Sequence, residues 1–118
     1  MADSALFVGF GFPVRGRERQ AIAVFNEAFE YYSRLQEGGE IESFEPVLLE
    51  PHGGELSGYF LLRGDRAKLA RVRASDEFER LTVRAGLIVD NLGIVGAALG
   101  ERLMSQIATV TEALDNLT

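Results

Sequence analysis

The sequence predicts one α+β domain in which the elements follow the order βαββαβ, with an extra helix at the C-terminus. Three observations predict it: apolar residues alternate with period two in separate segments, they recur at helical spacing between those segments, and turn formers join the second and third segments into a hairpin. The 118 residues are 47% hydrophobic and 25% charged. These values suit a single globular domain spanning 1–118.

The N-terminal third predicts a strand and a long helix. The strand covers 6–12, where apolar residues alternate, and it ends at Pro13. The helix follows the turn at 15–17 and ends at Gly38 and Gly39. Its apolar face is formed by Ala21, Ile22, Phe25, Ala28, Phe29, Tyr32 and Leu35.

The middle of the chain predicts a hairpin. An extended segment at 41–49 contains Pro46, which favours an edge position or a bulge because proline cannot donate to a neighbouring strand. The turn formers at 51–54 follow, and a third strand at 56–62 ends before Gly64 and Asp65.

Two helical segments and a fourth strand complete the βαββαβ order. Asp65 can cap a short helix carrying Leu69 and Val72, and Asp76 with Glu79 matches a capping box for the next helix. The stripe of that second helix is Phe78, Leu81, Ala85 and Ile88. Together with Phe25, Phe29 and Phe60, its residues Phe78 and Leu81 are predicted to form the subunit core.

The C-terminal segment predicts a strand and an amphipathic helix. The region 91–99 suits a buried strand, and its glycines Gly93 and Gly96 suggest close approach by another group. After Gly100, one apolar helix face is formed by Leu103, Ile107, Val110 and Leu114.

Composition excludes several classes of function. There is no cysteine, so disulfides and thiolate chemistry are excluded. The net charge of −6 without a clustered basic stripe argues against nucleic acid. The acid in Met1-Ala2-Asp3-Ser4 is unlike a secretory signal, and no apolar run is long enough for a bilayer. A soluble, cytoplasmic protein is expected.

This order of elements is most simply packed as a ferredoxin-like sandwich, a four-stranded antiparallel sheet with both helices on one face. On the first and last strands, the residues that point to either face of the sheet are uncharged. The face that the helices do not cover is therefore also expected to be buried by another layer. The chain resembles the dimeric α/β-barrel superfamily in this pattern and in Gly58-Tyr59-Phe60, Gly64-Asp65 and Ser75-Asp76-Glu77-Phe78. That resemblance implies a homodimer with opposed sheets and a small apolar cavity; it indicates no narrower family.

Motifs for cofactors and metals are weak. Gly9-Phe10-Gly11 lacks the third glycine of a dinucleotide fingerprint, and Pro13 interrupts it. His52, flanked by Glu50 and Glu55, is more simply a polar turn than a metal site. The chain has no tryptophan, and no histidine is placed to bind haem. No cofactor and no metal are predicted.

A ligand site is predicted over the open sheet face at Gly9 and Gly11, with Tyr59 or Arg63 as the polar contact. Alternating glycines clear space on one side of a strand, and Tyr59 and Arg63 share a face of the neighbouring strand. In the alternative, the glycines face the helices and only allow close packing. Other polar-tipped candidates, each more simply explained by packing or surface ion pairs, are Tyr31, Tyr32, Arg80 and Arg84.

Three functions remain open from the sequence. The first is a homodimer that binds a small apolar molecule between sheet and helices, with no nucleic acid or membrane partner. The second is a cofactor-independent monooxygenase-like or isomerase-like enzyme acting on an apolar aromatic compound. The third is a structural or interaction module. No acid and base pair is visible in the sequence to support the enzyme.

Overall fold

A computed structural model of the protein describes residues 2–117. Within this range the chain forms an α+β fold in the predicted order, including the short helix predicted after Asp65. The strands are Ser4–Phe10 (β1), Ser43–Leu48 (β2), Gly58–Gly64 (β3) and Gly93–Ala98 (β4). The helices are Glu18–Glu37 (α1), Arg66–Ala74 (α2), Asp76–Gly86 (α3) and Gly100–Asp115 (α4).

The four strands form one antiparallel sheet in the order β2-β3-β1-β4. β1 is central, and its Val8 lies opposite Phe60 of β3 on one side and Ile94 of β4 on the other. β2 is an edge strand, as Pro46 predicts. The predicted ferredoxin-like sandwich with its extra C-terminal helix is therefore confirmed.

The helix-covered face of the sheet holds the main core. Leu6 and Val8 of β1 and Phe60 and Leu62 of β3 point toward α1 and α3, and Leu62 is completely buried. The helices contribute Ala28, Tyr31, Tyr32, Phe78 and Leu81. The cluster joins residues far apart in sequence, which is what fixes the helices on this one face.

Two of the predicted core phenylalanines lie nearer the surface than expected. Phe25 is half-buried beside the core, but Phe29 is 44% exposed and packs edge-on against Phe44, with ring centroids 5.3 Å apart. Phe29 was therefore wrongly predicted as core. It lies on the flank of α1 that faces the edge strand β2, and an edge strand covers only part of a helix.

Side-chain caps separate α2 from α3. Asp65 accepts a hydrogen bond from the backbone N–H of Lys68, which confirms the predicted cap of α2. The cap of α3 is Ser75 rather than the predicted Asp76, since Ser75 has extended backbone angles and its Oγ accepts from the N–H of Phe78 at 3.3 Å. Asp76 is instead the first helical residue, where its charge favours the helix N-terminus.

β4 is shorter and more exposed than predicted. It begins at Gly93, not 91, because Asn91 has a positive φ of 55° that breaks the extended chain. Val89 forms an isolated bridge with Pro13 instead of joining the strand. Val95 is 56% exposed, so the prediction of a buried strand is wrong: β4 is an edge strand, and one of its faces has no covering layer.

α4 lies outside the core. It begins after Leu99, whose N–H donates to Asp3 O, and none of its residues is buried. The radius of gyration is 16.3 Å, against roughly 13.5 Å for a compact domain of this length. The exposed apolar residues of α4 are Leu103, Met104, Ile107, Val110 and Leu114. No helix in residues 2–117 combines the length and apolar character that a bilayer span requires.

Candidate functional site

An apolar cavity of about 420 Å³ lies between the sheet and the helices α1 and α3. Ile22 and Leu48, which are 62% and 70% exposed, form part of its wall, so the cavity reaches the surface on their side. Its other wall residues include Val8, Phe10, Gly11, Ala21, Phe25, Ala28, Tyr32, Phe60, Phe78, Leu81, Ala85 and Leu92. We call this space the apolar cavity.

The size difference between facing side chains leaves this space open. Small residues of the helices, Ala21 and Ala28 on α1 and Ala85 on α3, line the same cavity as the large rings of the sheet. An alanine buries little volume, so three of them along the two helices leave a gap that the aromatic side chains opposite do not fill. The helical stripes that predict the core thus also contain the residues that open the cavity.

Aromatic rings form one wall of the apolar cavity. The ring of Phe25 lies 5.0 Å from that of Phe60 and 6.2 Å from that of Phe10, measured between centroids. Tyr32 meets Phe60 edge-on at 5.0 Å. Rings at these separations attract each other and offer both faces and edges to a further aromatic group. The wall therefore suits a flat, unsaturated molecule.

Polar groups are sparse in the apolar cavity. Thr82 Oγ1 donates to the backbone carbonyl of Phe78, so its proton is already used inside α3. Ser57 lies at the cavity wall, and its backbone N–H donates to Phe10 O. Tyr32 is the single titratable side chain among the described residues of the wall. The wall of this cavity thus offers mainly apolar contact.

Burial controls the state of Tyr32. Desolvation raises the pKa of its phenol well above the usual value of 10.0, and the nearby Tyr31 adds to the rise. The side chain is 2% exposed, and no hydrogen bond joins its hydroxyl to another of residues 2–117. Every fully buried polar side-chain atom in residues 2–117 has a hydrogen-bond partner. Since the Tyr32 hydroxyl has none, its oxygen is not fully buried and remains accessible. Tyr32 is a neutral phenol with a hydrogen-bonding group to spare.

Of the four predicted ligand-binding residues, Gly11 lies at the apolar cavity. Gly9 and Gly11 were predicted to share a face of β1, but the strand ends at Phe10 and Gly11 lies beyond it. Its N–H donates to Asp90 O at 2.7 Å, and a Cβ at Gly11 would lie 2.5 Å from the same oxygen. The glycine therefore permits a close backbone approach at the cavity wall.

The other three lie on the opposite, open face of the sheet. The side chain of Phe7 covers Gly9 there: a Cβ at Gly9 would lie 2.5 Å from the Phe7 ring. Tyr59 stacks beside Phe7 with centroids 5.0 Å apart, and Arg63 forms an ion pair with Glu45 at 3.2 Å. The structure thus brings Gly9 and Tyr59 near each other but separates them from Gly11. Ligand binding by these residues stays a prediction.

Three of the remaining polar candidates, His52, Tyr31 and Arg84, are held by local contacts. In the loop before β3, His52 Nδ1 accepts from Gly54 N–H, and Nε2 lies 3.0 Å from Leu56 O. Tyr31 Oη lies 3.4 Å from Ser75 Oγ, and Arg84 pairs with Glu27 between α3 and α1. In residues 2–117, no three or more His, Asp and Glu side chains gather in a way that could hold a metal ion.

Comparison with known proteins gives structural likeness without a family. No family model matches the chain, and no curated protein matches it. A dimeric protein of unknown function and ferredoxin-like fold from Bacteroides fragilis is similar with a TM-score of 0.59 and 10% identity, over 81% of this chain and 96% of that one.

A second solved structure has an assigned activity. SnoaB, a cofactor-independent oxygenase from Streptomyces nogalater, is similar with a TM-score of 0.55 and 16% identity, over 85% of this chain and 96% of that one. At these identities the likenesses establish the fold alone. They confirm the ferredoxin-like subunit that the resemblance to the dimeric α/β-barrel superfamily implies.

Proposed function

We propose that this protein is a homodimer that binds a small, apolar, aromatic molecule in the apolar cavity of each subunit. The observation that carries the proposal is the cavity itself, about 420 Å³ of space with an almost wholly apolar and aromatic wall. Ligand pockets commonly enclose roughly 300–1,000 Å³ and combine such walls with a few polar groups. The volume suits a molecule of two or three fused rings.

Tyr32 supplies the polar contact in this proposal. Its hydroxyl is protonated and neutral at physiological pH, as burial raises its pKa above an already high ordinary value of 10.0, and it is free of a hydrogen bond to the rest of residues 2–117. A carbonyl or hydroxyl on the ligand would satisfy this group and fix the ligand's orientation. Apolar burial would supply most of the affinity, at about 25 cal/mol for each Å² removed from water.

Binding is tested with an uncharged fluorescent probe, N-phenyl-1-naphthylamine, whose emission rises in an apolar site. Ala85→Leu fills the cavity from α3 and is expected to weaken binding at least tenfold, about 1.4 kcal/mol. Ala23→Leu is the matched control, since Ala23 is exposed on α1 and outside the cavity wall. Equal affinity in the two variants at unchanged thermal stability would reject the cavity as the binding site.

The homodimer is proposed from exposed apolar surface. Val95 on the open sheet face is 56% exposed, and Phe7 and Leu61 beside it are only half-buried. The apolar stripe of α4 is exposed as well. A second copy that covers the open faces would remove this surface from water, and a stable contact needs roughly 1,200 Å² or more in total. The dimeric description of the Bacteroides fragilis protein supports this arrangement.

Analytical ultracentrifugation tests the dimer. The wild-type chain is expected to sediment as a dimer at micromolar concentration, and Val95→Glu to sediment as a monomer because it would bury an unpaired charge. Removing α4 is expected to weaken assembly or reduce solubility. A wild-type monomer at tens of micromolar would overturn the opposed-sheet dimer and leave the apolar cavity untouched.

An oxygenase activity is the second candidate, favoured by the likeness to SnoaB. The apolar cavity contains no acid and base pair among its described wall residues, so any such reaction would depend on the substrate's own reactivity, with Tyr32 as hydrogen-bond donor. An oxygen electrode decides between the two functions. Steady uptake of dioxygen with a hydroxylated polycyclic aromatic compound, reduced in Tyr32→Phe, supports the enzyme, and binding without uptake supports the binding protein alone.

A further inference from the structure

A second cavity, of about 330 Å³, lies at the β4 edge of the sheet between α2 and the first turns of α4. Three arginines line it: Arg66 and Arg73 from α2 and Arg102 from α4. The rest of its wall includes Ser4, Leu6, Leu69, Gly96, Ala98 and Gln106. This space, the arginine cavity, shares no residue with the wall of the apolar cavity.

Among residues 2–117, none of these three guanidinium groups has a carboxylate partner. The ion pairs of residues 2–117 join Arg34, Arg63 and Arg84 to glutamates elsewhere in the fold. Arg66, Arg73 and Arg102 take part in none of them. Three unpaired cations around one cavity are unusual in a chain with a net charge of −6, where acids outnumber bases by eighteen to twelve.

Hydrogen bonds to uncharged acceptors place two of the guanidinium groups at the cavity wall. Arg73 Nη2 donates to Ile94 O at 3.1 Å, which ties α2 to β4. Arg102 Nη1 donates to Ser4 Oγ at 3.2 Å, and Ser4 is 2% exposed. Each bond uses one donor of a group that has five, so donors remain for a ligand.

No carboxylate side chain lies in the wall that residues 2–117 give the arginine cavity. Asp65 caps α2 through the N–H of Lys68, and Asp3 Oδ1 accepts from Ser4 Oγ at 3.3 Å. Glu101, in the first turn of α4, is not part of the cavity wall. The positive charge of the arginine cavity is thus not neutralised from within its own wall.

We propose that the arginine cavity binds the anionic group, phosphate or carboxylate, of a small molecule. Guanidinium groups match both anions because their planar forks form two parallel hydrogen bonds, and such charge-assisted bonds are stronger than neutral ones. Like charges gathered around one space repel each other, and a bound anion turns this repulsion into attraction. The proposal is independent of the apolar cavity, whose wall carries no charged group.

The test is isothermal titration calorimetry, which measures the heat of binding, on the full chain at low ionic strength with inorganic phosphate and, separately, with citrate. One saturable site per chain is expected for at least one probe, and the preferred probe tells phosphate from carboxylate. Arg66→Gln and Arg73→Gln are each expected to weaken binding at least tenfold. Arg66 has no hydrogen bond or ion pair with another described residue, so its replacement removes the charge without breaking such a bond.

Arg71→Gln is the matched control, because Arg71 lies on the same helix, carries the same charge and is outside the cavity wall. Its affinity is expected to stay within twofold of wild type. If Arg66→Gln and Arg71→Gln weaken binding of the anion equally, the effect depends only on the net charge of the protein, and the proposal is overturned. A titration that never saturates would also overturn the proposal. Dissociation of a dimer by phosphate or by Arg66→Gln would do the same, because it would mean that a second copy of the chain occupies the cavity.

Discussion

The two faces of the sheet are built from the same strands and yet lie in opposite environments. On β3, Phe60 points toward the helices and is 3% exposed, whereas its neighbour Tyr59 points to the open face and meets only Phe7 as an aromatic partner. Phe60 meets three rings, those of Phe10, Phe25 and Tyr32. The residues of both faces are largely apolar, so the difference comes from the covering helices and not from the strands.

This difference indicates on which face of the sheet each proposed function would reside. The helix-covered face combines a tight core with the apolar cavity, because its covering side chains include alanines. The open face offers broad apolar surface without depth, which suits contact with another chain better than enclosure of a ligand. Paired substitutions on the two faces test the contrast, from the largest expected effect to the smallest.

The largest contrast is expected between two phenylalanines. Phe60→Ala removes a buried ring that packs against three others and is expected to lower the free energy of unfolding by about 3–5 kcal/mol. Phe7→Ala on the open face is expected to cost less than about 2 kcal/mol at low protein concentration, since its ring is half-buried. Chemical denaturation at several protein concentrations measures both. A cost for Phe7→Ala that grows with concentration would show that a second copy covers the open face.

Two glycines give the next contrast. Gly11→Ala places a Cβ 2.5 Å from Asp90 O, a backbone atom that cannot move alone, and is expected to cost about 1–3 kcal/mol. Gly93→Ala on the open face meets no atom within 4 Å and has an ordinary φ, so stability is expected to change by less than about 1 kcal/mol. Denaturation midpoints of the two variants decide this, and equal costs would contradict the difference in packing.

The dependence of stability on pH should report the burial of Tyr32. Its pKa in the folded protein is raised above the unfolded value near 10.0, so the unfolded chain releases the proton first. The contribution of this phenol is therefore fully present below about pH 10 and is lost as the pH rises beyond it, by about 1.4 kcal/mol per pH unit. Tyr32→Phe should lose less stability than wild type between about pH 9.5 and 11, although the phenol of Tyr31, with a pKa raised in the same direction, still titrates. Parallel curves would contradict the desolvation of Tyr32.

The smallest effect is expected for Arg63 on the open face. Its ion pair with Glu45 joins side chains that are 36% and 53% exposed, and such surface pairs contribute about 0–1 kcal/mol. Arg63→Gln should therefore leave thermal stability nearly unchanged and leave binding of N-phenyl-1-naphthylamine at wild-type affinity. Loss of probe binding in this variant would instead move the ligand site to the open face, where Arg63 and Tyr59 lie.

Prediction from sequence worked best where the pattern is local. Asp65 identifies the cap of α2 because a cap involves neighbouring residues only. The same logic missed Ser75 by one position, since Ser75 and Asp76 are both good caps and their backbone angles decide between them. The arginine cavity was missed altogether. Arg66 and Arg73 are far from Arg102 in the sequence, and only the fold, which places α2 and the start of α4 beside the β4 edge of the sheet, brings them together.

The amino-acid sequence by itself determined the order of elements and the ferredoxin-like fold, because hydrophobic periodicity and turn residues act over a few positions. Only the tertiary structure decided which face of the sheet the helices cover. It therefore also decided that Gly9, Tyr59 and Arg63 lie on the open face, and the end of β1 at Phe10 decided that Gly11 leaves this face and lines the apolar cavity. The physical reason is that alternation along a strand divides its residues between two faces of the sheet but does not determine which face the helices cover. That choice is set by contacts between distant segments, such as Phe60 with Tyr32.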